Sequence, residues 1–127
     1  MQWGEPDMAS TRVDKSKPDN KTESLNNLMG CMTVQDPRFS PTWITKLPET
    51  FAACGFADVD KHVCDAPPHL SFQLHECGLM IHELIARKAK NELFQQMLDR
   101  LLPLAVEETR NGAYVSAVRW IVIGRKP

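Results

Sequence analysis

No stretch of this chain approaches the roughly 20 consecutive apolar residues that a membrane span requires, and the basic-then-apolar layout of a secretory leader is missing from its start. These absences predict a soluble, cytoplasmic protein. Positive charge is concentrated nowhere: 15 Lys and Arg stand against 16 Asp and Glu, for a net charge of -1. Without a dense basic cluster to neutralise phosphates, nucleic acid is excluded as a partner. The six glycines, at positions 4, 30, 55, 78, 112 and 124, never fall in a G-x-G arrangement, so no Gly-rich turn is present to cradle a nucleotide. The four cysteines, Cys31, Cys54, Cys64 and Cys77, show neither C-x-x-C spacing nor the density of a disulfide scaffold, and read as reduced, mostly buried thiols. No Ser-His-Asp order stands out, and "HECGLMIHE" has the wrong spacing for a zinc-protease helix.

What is present is enough for one core and too little for two: 127 residues, 43% of them hydrophobic. The opening "MQWGEPD" reads as a strand that ends in an acidic turn, which is unusual so close to a first residue. The polar, aperiodic stretch after Asp7 predicts a loop to about residue 22. Helices are expected over 23–55. The first carries Leu25, Leu28, Met29 and Met32 at helical spacing, with Thr22 or Ser24 as its cap. The next is capped by Ser40 and presents Trp43, Leu47 and Phe51 on one face. Pro48 is expected to kink it or to divide it into two short helices end to end, and Gly55 ends it. Alternation over 56–66 predicts a strand near a sheet edge, Val59 and Val63 on its dry face and Asp58, Asp60 and His62 on its wet one. A helical hairpin follows over 70–111. Leu70, Leu74, Ile81, Leu84 and Ile85 form the apolar face of its first helix, and Pro103 forces a kink or restart in its second. The last strand, 113–124, has apolar residues at adjacent positions and therefore no polar face. It is predicted to lie buried between the other two strands, with Trp120 or Ile121 in the core.

Two readings of chemistry come from spacing alone. His62, Cys64, His75 and Cys77 have the right number and type of atoms for tetrahedral zinc, but one-residue spacing on a strand and on a helix is not that of paired-ligand loops, so no metal site is assigned. His69 and His82 read as partly exposed helix residues. The second reading is the order of pieces: a strand with an acidic turn, helices, a "GF" turn and strand, a helical hairpin, and an apolar final strand.

That order resembles the C-terminal half of a class I S-adenosylmethionine-dependent methyltransferase. The wording of "QWGEPD", Trp43, "LPETFAACGFADVD" and "YVSAVRWIVIGRK" is similar to the fungal methyltransferases of secondary metabolism, the group that includes the gliotoxin-type N-methyltransferases. The resemblance covers essentially the whole chain. It implies an α/β, partial Rossmann-like methyltransferase fold of the last three strands plus helices, with the terminal antiparallel strand buried between the other two. It implies a small-molecule methyl acceptor, and S-adenosylmethionine as the family's cofactor. The Gly-rich turn and acidic residue that hold that cofactor belong to a half that would precede Met1, so this chain alone is not expected to bind it. A truncated member of the family is the resulting expectation.

In such a fold the rim of the site would hold Trp3, Glu5 and Asp7, with Glu5 or Asp7 as a base or as the group that orients an amine. Asp7 could equally cap the turn that follows it. Met29, Met32 and Trp43 would line an apolar acceptor pocket, or else belong to the core. The rival function is a non-catalytic interaction module. A half-domain exposes a sheet edge and apolar surface through which it could dimerise or pair with a relative.

Overall fold

The computed structural model describes residues 1–35 and 41–127, the side chains of residues 32–35 excepted. Its sheet is organised around the terminal strand. The strand β3 (Ala113–Arg125) lies between β1 (Gln2–Lys15) and β2 (Ala57–Asp65), antiparallel to both. β1 and β2 therefore run parallel to each other and meet only through β3. The protein is mixed α/β, with the terminal strand in the expected place.

β1 does not end at Asp7, and most of the stretch read as a loop is strand. Met1 and Gly124 exchange both backbone hydrogen bonds, at 2.6 and 2.9 Å. From there the antiparallel alternation makes Gly4 and Pro6, opposite Ile121 and Arg119, non-hydrogen-bonded positions. The nitrogen of Pro6 thus faces the free edge of the sheet, where its missing donor costs the ladder nothing. Between Asp7 and Arg12 the register slips, because Asp7 stands opposite Val118 and Arg12 opposite Ser116. Ser10 repairs the gap: its hydroxyl accepts from the Val118 N–H at 2.8 Å and donates to the Asp7 carbonyl at 2.7 Å. One side chain stands in for the ladder bond that the bulge removes.

The core is divided between the two ends of β3. At one end Leu25 and Leu28 of α1 (Glu23–Gln35), Leu98, Leu101 and Ala105 of α4 (Glu92–Arg110) and Ala86 of α3 (Pro68–Lys88) close over Ala113. At the other, Leu47 and Phe51 of α2 (Leu47–Ala53) pack on Val122, with Phe56 and Val59 beside them. Gly124 lies so near this cluster that a Cβ there would stand 2.9 Å from the Cβ of Phe56 and 3.0 Å from Cδ1 of Phe51. Gly112, at φ +106, turns α4 into β3. Its carbonyl accepts from the Ser16 N–H at 2.8 Å, tying that turn to the end of β1.

Several burial assignments change. The segment before α2 is a 3-10 turn, Trp43–Lys46, as the break at Pro48 anticipated. Its three-residue period brings Ile44, not Trp43, into line with Leu47 and Phe51, and Trp43 is 46% exposed. The cap expected from Ser40 lies outside the described residues. α1 is capped from afar: the carboxylate of Glu108 on α4 accepts from the Ser24 and Leu25 N–H groups, both at 2.9 Å. α4 neither stops nor restarts at Pro103, which sits inside an unbroken helix at an exposed position, where water can reach the freed carbonyl. On β2, Lys61, His62 and Val63 are all exposed, so this edge strand is wet on both faces over that stretch. No described cysteine is fully buried: Cys54 and Cys77 are exposed, Cys31 and Cys64 half-buried.

The largest change concerns α3. Its helical spacing holds, but Leu74, Ile81 and Leu84 are exposed, together with Phe72 and Met80. The face turned inward carries Ser71 and His75. Their hydrogen bonds to β3 and α4 act beside the apolar packing of Ala86, Leu79 and Ile85 further along the helix.

Within β3 the fully covered large side chain is Val122, not Trp120 or Ile121, both of which are half-buried. Val122→Ala is expected to lower unfolding free energy by about 2 kcal/mol, whereas Ile123→Ala, at a position 48% exposed, should change it by less than about 0.5 kcal/mol. Urea denaturation of the two variants beside the parent chain measures both, and equal losses would contradict this division of the strand.

Candidate functional site

Trp3, Glu5 and Asp7 fall on one face of β1 by the two-residue period of a strand. The Trp3 indole N–H donates to the Glu5 carboxylate at 3.2 Å. Asp7 accepts from the Ala9 N–H at 3.1 Å, so its carboxylate caps the bulge. That leaves Glu5 as the carboxylate of this rim without a backbone duty. Met29 is half-buried on α1 and Trp43 is exposed ahead of α2. No hydrogen bond or ring contact among the described residues joins either of them to the rim. Met32 belongs to α1, and its side chain lies outside the described residues.

The four atoms weighed as zinc ligands are not assembled. His75 is buried, and both of its ring nitrogens are engaged. Nδ1 accepts from the Val115 N–H at 3.2 Å, which assigns the proton to Nε2, and Nε2 then donates to the Thr109 hydroxyl at 2.7 Å. The Thr109 hydroxyl in turn donates a hydrogen bond to the Ala105 carbonyl at 2.8 Å. His62 and Cys77 are exposed. Among the described residues no group of three or more His, Cys, Asp and Glu side chains could hold a metal ion.

Across β1 from the Trp3, Glu5 and Asp7 side chains, an open hollow of about 390 Å³ lies between β1 and α3. Gly4, Glu5 and Pro6 supply one wall, Leu70, Gln73, Leu74 and Cys77 the other, and Arg119 of β3 reaches it from the middle of the sheet. Arg119 and Gln73 were not singled out in the sequence. The available signal was Arg119 itself, the one charged residue between Ala113 and Gly124 in a strand otherwise apolar or small. A second hollow, of about 470 Å³, lies where α3 turns into α4, with Ile81, Leu84, Ile85 and Phe94 in its walls and Lys88 and Lys90 among its lining residues. No described helix is long and apolar enough to cross a membrane. No family model, curated protein or solved structure matches the chain.

Two histidines of α3 titrate away from their ordinary value. Burial lowers the His75 pKa, and the nearby His82 lowers it further. Burial also lowers that of His82, partly offset by its hydrogen bond to the Gly78 carbonyl, while its Nε2 is buried without a partner. Both folded-state values thus lie below the unfolded value of about 6.5. The native chain then binds fewer protons than the unfolded one, so this stability is fully present above about pH 6.5 and is lost as pH falls through the depressed values. Melting temperature is expected to drop between pH 7.5 and 5.5, and His82→Gln, which cannot take up the proton, should flatten that drop. Scanning calorimetry at the two pH values checks this, and an unchanged pH dependence in the variant would remove His82 from the account.

Proposed function

We propose that these 127 residues form the acceptor-side part of an S-adenosylmethionine-dependent methyltransferase fold of the fungal secondary-metabolite type, and that cofactor binding requires the cofactor-binding half of that fold. The observation that carries this reading is the strand order β1-β3-β2, in which an antiparallel strand enters between two parallel ones. The resemblance implies that order for the last three strands of the fold, and a Rossmann-like partial domain is the finer reading of the mixed α/β sheet.

The chain's own residues do not fit the cofactor. S-adenosylmethionine carries a sulfonium cation, and the hollow between β1 and α3 presents the Arg119 guanidinium, which repels a cation. Its ribose and amino-acid groups would need a Gly-rich turn and an acidic contact, and this sequence has no G-x-G. What the rim offers is a place for the acceptor. Glu5, held by the Trp3 indole, can orient an amine or accept its proton.

Titrated calorimetrically with S-adenosylmethionine, the chain alone is expected to give no binding heat, whereas a complex with the cofactor-binding half of a methyltransferase of this type, formed by co-expression, should bind it. Micromolar affinity in the isolated chain, or none in the complex, overturns the proposal.

A second reading has its own support: an interaction module that associates through α3. Phe72, Leu74, Met80, Ile81 and Leu84 are exposed on a helix whose buried side chains include Ser71 and His75, the reverse of an ordinary amphipathic arrangement. Light scattering behind size exclusion is expected to show a dimer or larger species that Leu84→Glu converts to monomer. A monomeric parent chain at micromolar concentration excludes self-association.

A further inference from the structure

We infer that the hollow between β1 and α3 binds a small organic carboxylate with an apolar body. The inference concerns this chain's own residues and stands or falls independently of the methyltransferase reading.

Arg119 carries the argument. The other described arginines, Arg12, Arg87, Arg100, Arg110 and Arg125, are exposed, and three of them pair with acids: Arg12 with Asp14 and Asp65, Arg87 with Glu83, and Arg125 with Asp58. Arg119 is half-buried, and among the described residues it has no acidic partner. Taking a guanidinium partly out of water without a counter-charge is unfavourable, and a bound anion offsets it. Glu5 does not supply the charge. It is adjacent to Gly4 along β1, so its side chain leaves the opposite face of the strand, where it accepts from Trp3.

The surroundings define the anion. Gly4 lies beside the Arg119 fork, whose Nη2 would be 3.6 Å from a Cβ at that position, so no side chain screens the guanidinium from the hollow. A planar fork that no side chain screens suits a carboxylate. Leu70 and Leu74 of α3 form an apolar wall across from it, which favours an organic acid over a bare inorganic anion. With a single positive group in the hollow, a monoanion balances the charge.

The test follows the amide resonances of the full chain during titration with phenylacetate, with acetate, phenylacetamide and inorganic phosphate as parallel arms. Phenylacetate is expected to shift Gly4, Gln73 and Arg119 saturably. Phenylacetamide, which has the same body without the charge, should bind about tenfold more weakly or less. Arg119→Gln should abolish the shifts. Leu74→Ala, at an exposed position that leaves the core intact, should weaken phenylacetate about fivefold and leave acetate unchanged. The inference is overturned if phenylacetate and phenylacetamide bind alike, if phosphate binds as tightly as phenylacetate, or if the shifts fall elsewhere. A natively folded Arg119→Gln that keeps full affinity would also overturn it. Should Arg119→Gln fail to fold, the amide arm and Leu74→Ala still decide.

Discussion

One turn of α4, from Ala105 to Thr109, fastens the helices to one another and to the sheet. Ala105 packs in the core beneath α1, and its carbonyl accepts a hydrogen bond from the Thr109 hydroxyl. Thr109 receives His75 of α3, and His75 in turn accepts the Val115 N–H of β3. Glu108, between them, holds the first turn of α1 by two backbone N–H groups. Four elements thus meet through hydrogen bonds that are directional and mostly removed from water, where an unmade bond costs more than a made one contributes. Apolar packing fills the remaining space; α3 contributes Ala86, Leu79 and Ile85 to it, while Leu74, Ile81 and Leu84 stay exposed.

This arrangement explains what could be read in advance and what could not. Periodicity placed every helix and strand in order, because the two-residue and 3.6-residue repeats are local properties of the chain. The apolar character of β3 also gave its central position, since a strand without a polar face needs a partner on each side. Local pattern failed where a distant residue intervened. Nothing around Thr22 or Ser24 announces that the cap of α1 is Glu108, and nothing around His75 announces that its ring faces β3 and not water. The usual rule that the apolar side of a helix faces inward misassigned α3, because Ser71 and His75 found partners on β3 and α4. At β1 the error was of another kind. Gly4 and Pro6 punctuate a sequence, yet in an edge strand a proline whose nitrogen faces outward is compatible with pairing.

Of the site, the rim was legible and the hollow was not. Trp3, Glu5 and Asp7 lie along one face of one strand, so spacing alone could group them. The hollow draws on β1, β3 and α3 together, and its lining depends on a register that only the pairing of Met1 with Gly124 and of Pro6 with Arg119 defines. The single charge in an apolar strand was the signal that could have drawn attention to Arg119, and among the described residues no acid pairs with it.

The position of β3 has a consequence for how the chain reaches its fold. β1 and β2 are both synthesised before the strand that joins them, and neither can pair with the other in the native sheet. Until residues 113–125 have left the ribosome, both strands lack the partner that joins them, and closing this part of the sheet then means bringing Ile123 back to Gln2. Long-range closure of this kind is slow, and open edges held for that time favour pairing with the wrong neighbour. The helical hairpin of α3 and α4 is local in sequence and complete one element earlier, with His75 and Glu108 already in place. It can form first and present a folded surface, so that the arrival of β3 is a docking step onto α3 and α4 followed by capture of the two waiting strands.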